Sequence, residues 1–274
     1  MKKIFLFLLM LPLLLCSCSN DDETTATSAD DRLNLNISWN GKQYTVPCSL
    51  DKNGNLRYWN EEFNEVYDKE IAKYDGKSLV TYVTGNNSFT YYSSLDAMMK
   101  DLGLRFIDQY TYVDGTDKAA TRTVASSAVA GRVTMWKYTD YTGTVLSHVT
   151  WYTSSYWNPR LSTLKYNDVA QSVRVISNIP LDDEVYVNFS DVEFKYNEGY
   201  YSSNPPTGSN KYSTNRLRVV FLAYQNTNYG GNMLCIIPEN SNYKQYDLSN
   251  WGWHKKISSD VIRIAVENLY TEEH

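Results

Sequence analysis

Side chains able to do acid–base or metal chemistry are few in this sequence and widely scattered. Adjacent carboxylates at 61–62 and 182–183 come closest to an acid pair for glycoside hydrolysis, but such a pair is recognised by its separation in space. The sequence contains no HExxH, no GxSxG and no glycine-rich phosphate loop. The only histidines are far apart and show no metal-ligand spacing: His148, His254 and His274. A non-enzymatic protein is therefore favoured, and a hydrolase with an unrecognised carboxylate pair is the enzymatic alternative.

Aromatic side chains among small polar residues form a second group, which could bind rather than react. Segment 148–160 contains two tryptophans and two tyrosines, and segment 197–212 contains three tyrosines and two prolines. Such compositions suit protein recognition and also stacking on sugars, although each aromatic alone could face a β-sandwich core. The candidate ligand-binding residues are Trp151, Tyr152, Tyr156, Trp157, Tyr200, Tyr201 and Tyr212.

The N-terminus predicts export and a lipid anchor. Two early lysines precede an apolar run, residues 4–15, which is shorter than the roughly 20 residues of a membrane span. Cys18 follows leucine, cysteine and serine, as in a bacterial lipoprotein signal, so we expect residues 1–17 to be removed and Cys18 to be lipidated. Acidic residues at 21–23 resemble the surface-export tag of some Gram-negative lipoproteins, which predicts a surface-exposed outer-membrane location. The alternative is a soluble secreted protein with two incidental cysteines.

The charge of the chain excludes nucleic acid as a partner. The formal net charge is −5, and removal of residues 1–17 leaves 24 basic against 31 acidic residues, or −7. Nucleic-acid binding needs clustered lysine and arginine. No second apolar run could span a bilayer, so the lipid is the only expected membrane contact. Beyond the signal, Cys48 and Cys235 are candidates for a disulfide, and the sequence leaves their pairing open.

The N-terminal part predicts a small α+β module over residues 33–113. It follows a polar, acidic stretch, 18–32, which we expect to be a flexible tether. Asn40–Gly41 lies between two alternating runs and indicates a β-hairpin. Apolar residues at helical spacing predict helices over 61–74 and 95–102.

The rest of the chain predicts a β-rich domain. An Ala-, Ser- and Thr-rich stretch, 114–130, is the expected linker, and residues 131–274 carry strand and turn signals to the end. Within this domain, residues 178–215 form an insert in which 184–196 could add a hairpin and 197–212 is an irregular loop. Loops of this length in compact domains are commonly functional or disordered.

One spacing occurs twice in the β-rich domain. An aromatic residue is followed after four residues by a tyrosine, then by any residue and a glycine, and a serine follows 28 or 27 residues later. Two copies with matching tails indicate an internal repeat. The matched residues are Trp136, Tyr141, Gly143 and Ser172 in the first copy and Tyr224, Tyr229, Gly231 and Ser259 in the second.

This repeat resembles the Greek-key motif of the βγ-crystallin family, over residues 131–177 and 216–266. The resemblance implies a mainly β fold, in which a two-Greek-key sandwich follows the small α+β module. In such a motif the first two strands fold back sharply, the glycine adopts a backbone geometry closed to other residues, and the aromatics cover the bend. The late serine is expected to hold the folded hairpin through hydrogen bonds to its backbone.

The resemblance also implies a calcium site, which this sequence has partly lost. Microbial family members combine an Asn/Asp pair from one key with a hydroxyl from the other. Asn167 and Asp168 with Ser258 preserve one such site, whereas Gln171 and Lys255 replace the hydroxyl and the acid of the other. Calcium prefers several oxygens and more than one carboxylate. We therefore expect weak calcium binding or none, with the alternative that Asn167 and Asp168 only stabilise a turn, and we expect no other cofactor.

Some secreted bacterial two-key proteins are peptidase inhibitors, which present a loop of the sandwich to a protease. A lipid-tethered chain with a long loop and few catalytic signals fits that function. The sequence thus predicts a surface-anchored lipoprotein that binds a protein, with peptidase inhibition as one form of that activity. The alternative is a glycan-binding surface lipoprotein. A flat exposed row of tryptophan and tyrosine would favour glycan binding, and a protruding ordered loop would favour protein binding.

Overall fold

The computed structural model describes residues 33–51, 53–106, 129–151, 156–181, 184–189, 208–213 and 217–267. This part of the chain is mainly β-structure, as the sequence predicts. No helix within it is long and apolar enough to cross a membrane. The expected signal peptide, the lipidated Cys18 and the tether lie outside the described residues.

Sixteen strands and two α-helices follow one another along the described residues. The strands are β1 (Leu33–Trp39), β2 (Lys42–Leu50), β3 (Leu56–Tyr58), β4 (Val80–Gly85), β5 (Ser88–Tyr92), β6 (Leu104–Phe106), β7 (Val129–Trp136), β8 (Val145–Trp151), β9 (Tyr156–Asn158), β10 (Ser172–Ser177), β11 (Glu184–Phe189), β12 (Gly208–Ser213), β13 (Leu217–Asn226), β14 (Gly230–Ile236), β15 (Tyr243–Asp247) and β16 (Ser259–Glu267). The helices are α1 (Glu61–Val66) and α2 (Leu95–Asp101).

Two of the sheets pack face to face as a sandwich. The larger has ten strands in the order β3-β2-β1-β5-β4-β14-β13-β16-β6, with β9 also paired to β16, and the smaller has the order β15-β10-β7-β8. One hydrophobic cluster joins their facing sides, with Val133 and Val173 from the small sheet and Phe221 and Ile262 from the large sheet. A second cluster covers the outer face of the large sheet and includes Met98 of α2.

The predicted local features of the N-terminal part are present. Asn40 and Gly41 have φ of 50° and 78° and join β1 to β2, because a two-residue hairpin turn of this type needs positive φ at both positions. The side chains of Asn60 and Ser94 cap α1 and α2 by accepting backbone N–H groups. The first helix differs from the prediction after residue 66, because residues 67–71 form a π-helical turn.

The large sheet crosses the expected boundary between the two parts of the chain. β4 pairs in parallel with β14, where Val80 lies opposite Met233, and β6 pairs with β16, where Phe106 lies opposite Ala265. Without β4, the outer edge of β14 would expose unpaired N–H and C=O groups. The expected α+β module therefore continues the sheet of the β-rich domain. Most of the expected linker, 114–130, lies outside the described residues.

The two sequence repeats exchange one strand each. β7, β8 and β10 come from the first repeat, and the fourth strand of their sheet, β15, comes from the second. In the same way β13, β14 and β16 come from the second repeat, and β9 of the first repeat pairs with β16. Neither repeat therefore completes its own sheet alone.

The folded corners between the first two strands of each repeat match the expected geometry. The rings of Trp136 and Tyr141 meet edge to face at 5.7 Å, and those of Tyr224 and Tyr229 meet in the same way at 5.5 Å. The glycines two residues later have φ of +85° and +76°, and a Cβ there would approach a neighbouring side chain to within 2.7 and 2.8 Å. Both corners thus need glycine for backbone conformation and for space.

The late serines make the expected hydrogen bonds. Ser172 Oγ donates to the carbonyl oxygen of Tyr138 at 2.6 Å, and Ser259 Oγ donates to that of Asn226 at 2.7 Å. Ser259 Oγ also accepts from the backbone N–H of Tyr229 at 3.2 Å. Both serines are fully buried. Each therefore fixes the backbone of its own corner from the start of the last strand in the repeat.

The two cysteines outside the expected signal do not form a disulfide. Cys48 in β2 and Cys235 in β14 are both buried and both free. Strands β1, β5 and β4 lie between them in the sheet. Four strand spacings put their Cα atoms on the order of 19 Å apart, whereas a disulfide needs less than about 7 Å. Burial raises the pKa of Cys48 to about 11 and that of Cys235 further, so both thiols stay protonated.

The insert between the repeats contains a longer-range pairing than the sequence predicts. β11, expected to form a local hairpin with the residues directly after it, instead pairs with β12, so that Glu184 lies opposite Ser213. Residues 208–212, predicted to be part of an irregular loop, are thus in a strand. Residues 190–207 lie outside the described residues.

Candidate functional site

The short strand β9 sends two of the candidate binding residues to opposite faces of the large sheet. Trp157 lies opposite Val261 in register, and Val261 belongs to the hydrophobic cluster on the outer face. Trp157 is 47% exposed. Tyr156 lies opposite Ile262, which faces the sandwich core, and its ring stacks on His148 at 4.2 Å with an interplanar angle of 17°. Tyr156 therefore packs toward the sandwich core, which is the alternative to ligand binding that the sequence left open for each aromatic. Trp157 remains available to a partner.

Trp157 belongs to a surface that three parts of the chain build together. The Arg263 guanidinium carbon lies 4.8 Å from the centre of the Trp157 ring and 3.5 Å from that of Phe106. The ring of Tyr229 meets Trp157 edge to face at 5.5 Å, with an angle of 81°. We call these four residues, Phe106, Trp157, Tyr229 and Arg263, the Trp157 surface. Its members come from β6, from β9, from the second corner and from β16.

The sequence identified only Trp157 of this surface as a binding residue. The sequence predicts Tyr229 as part of the repeated corner, and it predicts no role for Arg263 or Phe106. A signal for Arg263 was present, because it is the one charged residue in the alternating run from Val261 to Val266. The pairing of Phe106 with Ala265, which brings Phe106 beside Arg263, has no local sequence signal.

The remaining candidate binding residues lie outside the described side chains. Trp151 is the last residue of β8 and Tyr212 lies in β12, and for both only the backbone is described. Tyr152, Tyr200 and Tyr201 lie outside the described residues. A recognition surface formed by 197–212 with residues 151–157 stays a prediction.

The three candidate calcium ligands lie together where the loops of the two repeats meet. Ser258 Oγ donates to Asp168 Oδ1 at 2.9 Å, and Asn167 Nδ2 donates to Asp168 Oδ2 at 2.5 Å. The backbone N–H of Asp168 donates to Ile257 O at 3.0 Å, so the two loops are also joined through their backbones. The crossing of ligands between repeats that the resemblance implies is therefore geometrically available.

These residues fit calcium poorly. They offer one carboxylate, one amide oxygen and one hydroxyl, whereas calcium takes 6–8 oxygens, several of them from carboxylates. Both oxygens of Asp168 already accept hydrogen bonds, although Asn167 Oδ1 is buried and has no partner among the described residues. At the equivalent position of the second loop stands Lys255, whose φ of 53° equals that of Asp168. No group of three His, Cys, Asp or Glu residues within the described part of the chain could hold a metal.

A buried polar cluster lies inside the sandwich, behind Tyr156. His148 Nε2 and Asp260 Oδ2 are 3.5 Å apart, and both side chains are almost inaccessible to solvent. Asn158, opposite Asp260 in register, has an amide nitrogen without a hydrogen-bond partner among the described residues, as do both oxygens of Asp260. Burial raises the pKa of Asp260 to about 8 and lowers that of His148 to about 4. Both groups are therefore neutral at pH 7, and neither can reach a substrate at the surface.

The carboxylate pair at 61–62 lies on the exposed first turn of α1. Glu62 forms an ion pair with Lys42 at 2.6 Å, and both side chains are mostly in solvent. The pair at 182–183 lies outside the described residues. No family model matches this chain, and neither a curated protein nor a solved structure matches it.

Proposed function

We propose that this chain is a lipid-anchored lipoprotein of the outer-membrane surface that binds a protein partner without catalysis. The anchor rests on Cys18 and the apolar run before it. We further propose that residues 131–274 form a βγ-crystallin-like sandwich of two Greek keys. Two observations support that fold: the repeats exchange one strand each, and both corners carry the aromatic pair, the glycine and the serine.

The Trp157 surface is the observation that carries the proposed function. Tryptophan, tyrosine and arginine are the residue types that dominate binding energy at protein interfaces, and here Trp157 contacts both Tyr229 and Arg263. Arg263 is held against two rings, so less side-chain entropy is lost when a partner binds. A preorganised cluster around one exposed tryptophan suits the centre of a protein interface.

The geometry of the same surface favours protein over glycan as its ligand. A sugar-binding platform would present its aromatic rings as a flat row. The planes of Trp157 and Tyr229 are instead at 81° to each other. The ridge that results suits a pocket on a partner, and peptidase inhibition is one activity that such a contact supports.

The experiment compares Trp157→Ala with Trp59→Ala. Trp59 is a matched control, because it is 40% exposed and also lies against an arginine, Arg57, at 4.9 Å. Proteins captured by the wild-type chain from culture supernatant are identified and purified, and the panel includes secreted peptidases. Dissociation constants and peptidase inhibition are then measured for the three proteins.

We expect Trp157→Ala to weaken binding at least about 30-fold, which corresponds to the 2 kcal/mol of a hot-spot residue. Trp59→Ala should bind as the wild type does. Equal losses in the two variants, or full binding by Trp157→Ala, would show that another part of the chain makes the contact.

A further inference from the structure

A polar cleft of about 500 Å³ lies on the other face of the large sheet. One wall comes from β3, α1 and the π-helical turn, and the other from residues 251–256 together with Gln225 and Asn232. Its volume lies within the range of about 300–1,000 Å³ typical of small-molecule sites. The cleft therefore forms where the N-terminal part of the chain joins the second repeat.

Hydroxyl and amide groups of the cleft are held in place by Asp75. The hydroxyl of Tyr67 donates to Asp75 Oδ2 at 2.8 Å, and Asn232 Nδ2 donates to Asp75 Oδ1 at 2.6 Å. The hydroxyls of Tyr58 and Tyr91, which also line the cleft, are 2.8 Å apart. Burial is the main cause that raises the pKa of all three tyrosines, so these groups stay neutral hydrogen-bond donors and acceptors.

The charges that line the cleft cancel. Two cationic residues, Arg57 and Lys256, face two anionic residues, Asp68 and Asp75. Lys256 Nζ donates to Asn55 Oδ1 at 2.7 Å and to the carbonyl oxygen of residue 54 at 3.3 Å. Hydrogen bonds within the protein thus occupy both Lys256 and Asp75. Because the lining carries as many cationic as anionic residues, it has no net charge with which to select an ionic ligand.

Aromatic side chains complete the wall of the cleft. Trp251 and Trp253 line it and are almost fully buried. Trp251 is fixed by an edge-to-face contact with Tyr246 at 4.6 Å, and its indole N–H is buried without a hydrogen-bond partner among the described residues. Their position also makes tryptophan fluorescence sensitive to a ligand in the cleft.

We propose that this cleft binds a neutral mono- or disaccharide. A sugar hydroxyl is both donor and acceptor, which matches the amide and phenol groups of Asn64, Gln225, Asn232, Tyr58 and Tyr67. A lipid tail would leave the remaining hydrogen-bonding capacity of these groups unused, and an ion would find no net charge. The cleft is separate from the Trp157 surface, because the two lie on opposite faces of the large sheet. Tyr224 belongs to the outer cluster, whereas Gln225, the next residue of β13, lines the cleft. Sugar binding therefore goes beyond the proposed protein binding and does not depend on it.

The experiment titrates the full chain, purified in detergent, with glucose, galactose, N-acetylglucosamine, maltose, cellobiose and lactose. Tryptophan fluorescence and calorimetry are the two readouts. Asp68→Ala and Gln225→Ala each remove one polar group of the cleft that takes no part in the Asp75 network. Glu65→Ala is the matched control, since Glu65 precedes Asp68 on the same helical segment, lies outside the cleft and forms only an exposed ion pair with Lys69.

We expect saturable binding of at least one sugar at one site per chain. Asp68→Ala and Gln225→Ala should each weaken it by about threefold or more, the effect of one lost hydrogen bond. Glu65→Ala and Trp157→Ala should bind the sugar as the wild type does. The proposal is overturned if no sugar of the panel binds, if neither cleft variant weakens binding, or if Trp157→Ala abolishes it. Loss of protein capture with sugar binding intact would count against the Trp157 surface alone.

Discussion

His148 and Asp260 face each other inside the sandwich, with Nε2 and Oδ2 3.5 Å apart, and neither carries a charge at pH 7. Burial disfavours the charged form of each group, because the interior solvates ions poorly. Tyr156 stacks on the imidazole of His148, and Asn158 lies opposite Asp260. Folding therefore favours the protonated form of Asp260 and the neutral form of His148.

This pair predicts that stability falls as pH rises above neutrality. The pKa of Asp260 is about 8 in the folded chain against a usual 3.8, so folding binds a proton between these values, and stability is lost as pH rises through that window. The pKa of His148 is about 4 against a usual 6.5, so between these values its titration raises stability as pH rises and opposes the effect of Asp260. Above pH 6.5 the effect of Asp260 remains alone. We expect the free energy of unfolding to fall by about 1 kcal/mol between pH 7 and pH 8.

Denaturant unfolding at a series of pH values measures this slope. Asp260→Asn keeps the shape and removes the titration, so its stability should be nearly constant from pH 7 to pH 8. Asp96→Asn, on the exposed first turn of α2, is the control and should keep the wild-type slope. A flat wild-type profile would mean that Asp260 is ionised in the folded protein.

The serines that fix the two corners should differ in their contribution to stability. Ser172→Ala removes one hydrogen bond to Tyr138, whereas Ser259→Ala removes one to Asn226 and one from Tyr229. Each change leaves a backbone group without its partner, at a cost of about 1–3 kcal/mol. We expect both variants to have lower melting temperatures, with the larger decrease for Ser259→Ala.

Ser162→Ala is the control for these variants, because Ser162 is exposed. Calorimetric melting of the three variants makes the comparison. A melting temperature of Ser259→Ala close to that of Ser162→Ala would show that the corners hold without their serines.

Calcium binding should be weak in the wild-type chain and stronger after two substitutions. Lys255→Asp restores the acid of the second site and Gln171→Ser restores its hydroxyl, so the double variant has one carboxylate there and a second, Asp168, in the neighbouring loop. Because a ligand of the folded state stabilises it, millimolar calcium should raise the melting temperature of the double variant and leave the wild type nearly unchanged.

Asp168→Asn in the double variant is the control, and it should reduce the calcium effect again. Magnesium serves as the ion control, since it demands a smaller octahedral site. A tight two-site calorimetric isotherm with the wild type would show that the lysine does not prevent binding.

The proposed lipid anchor predicts a difference between two neighbouring cysteines. Cys18→Ser should prevent lipidation and release the protein from the membrane fraction, whereas Cys16→Ser should leave the protein anchored. Mass spectrometry of the N-terminal peptide should find a lipidated Cys18 in the wild type. An unmodified N-terminus, or cleavage at another residue, would contradict the predicted signal.

Features with a short sequence range were predictable. The Asn40–Gly41 turn follows from the φ that only a few residue types tolerate, and the corner glycines Gly143 and Gly231 follow from the same restriction. The serine hydrogen bonds were predictable because the repeat kept the serine at nearly the same distance from each glycine. In all these cases the signal and the contact lie within one repeat or one turn.

Features that depend on pairing between distant strands were not predictable. Arg263 reaches Phe106 only because β6 extends the edge of β16, and the cleft exists only because β4 pairs with β14. The burial of Tyr156 beside His148, next to the exposed Trp157, depends on which face β9 turns toward the core. Alternation along a strand gives two faces, but it does not say which of them another sheet covers.

The joining of β4 to β14 also has a consequence for the order in which the protein folds. Gly76 N donates to Asn232 Oδ1 across 156 residues of chain, and the sheet is continuous through this region. Strand β4 cannot pair with its neighbour β14 until the second repeat has been synthesised. Contacts of such long sequence range fold slowly, and during that interval β4 offers an open edge to other chains. The chain therefore needs protection from association until the second repeat has folded.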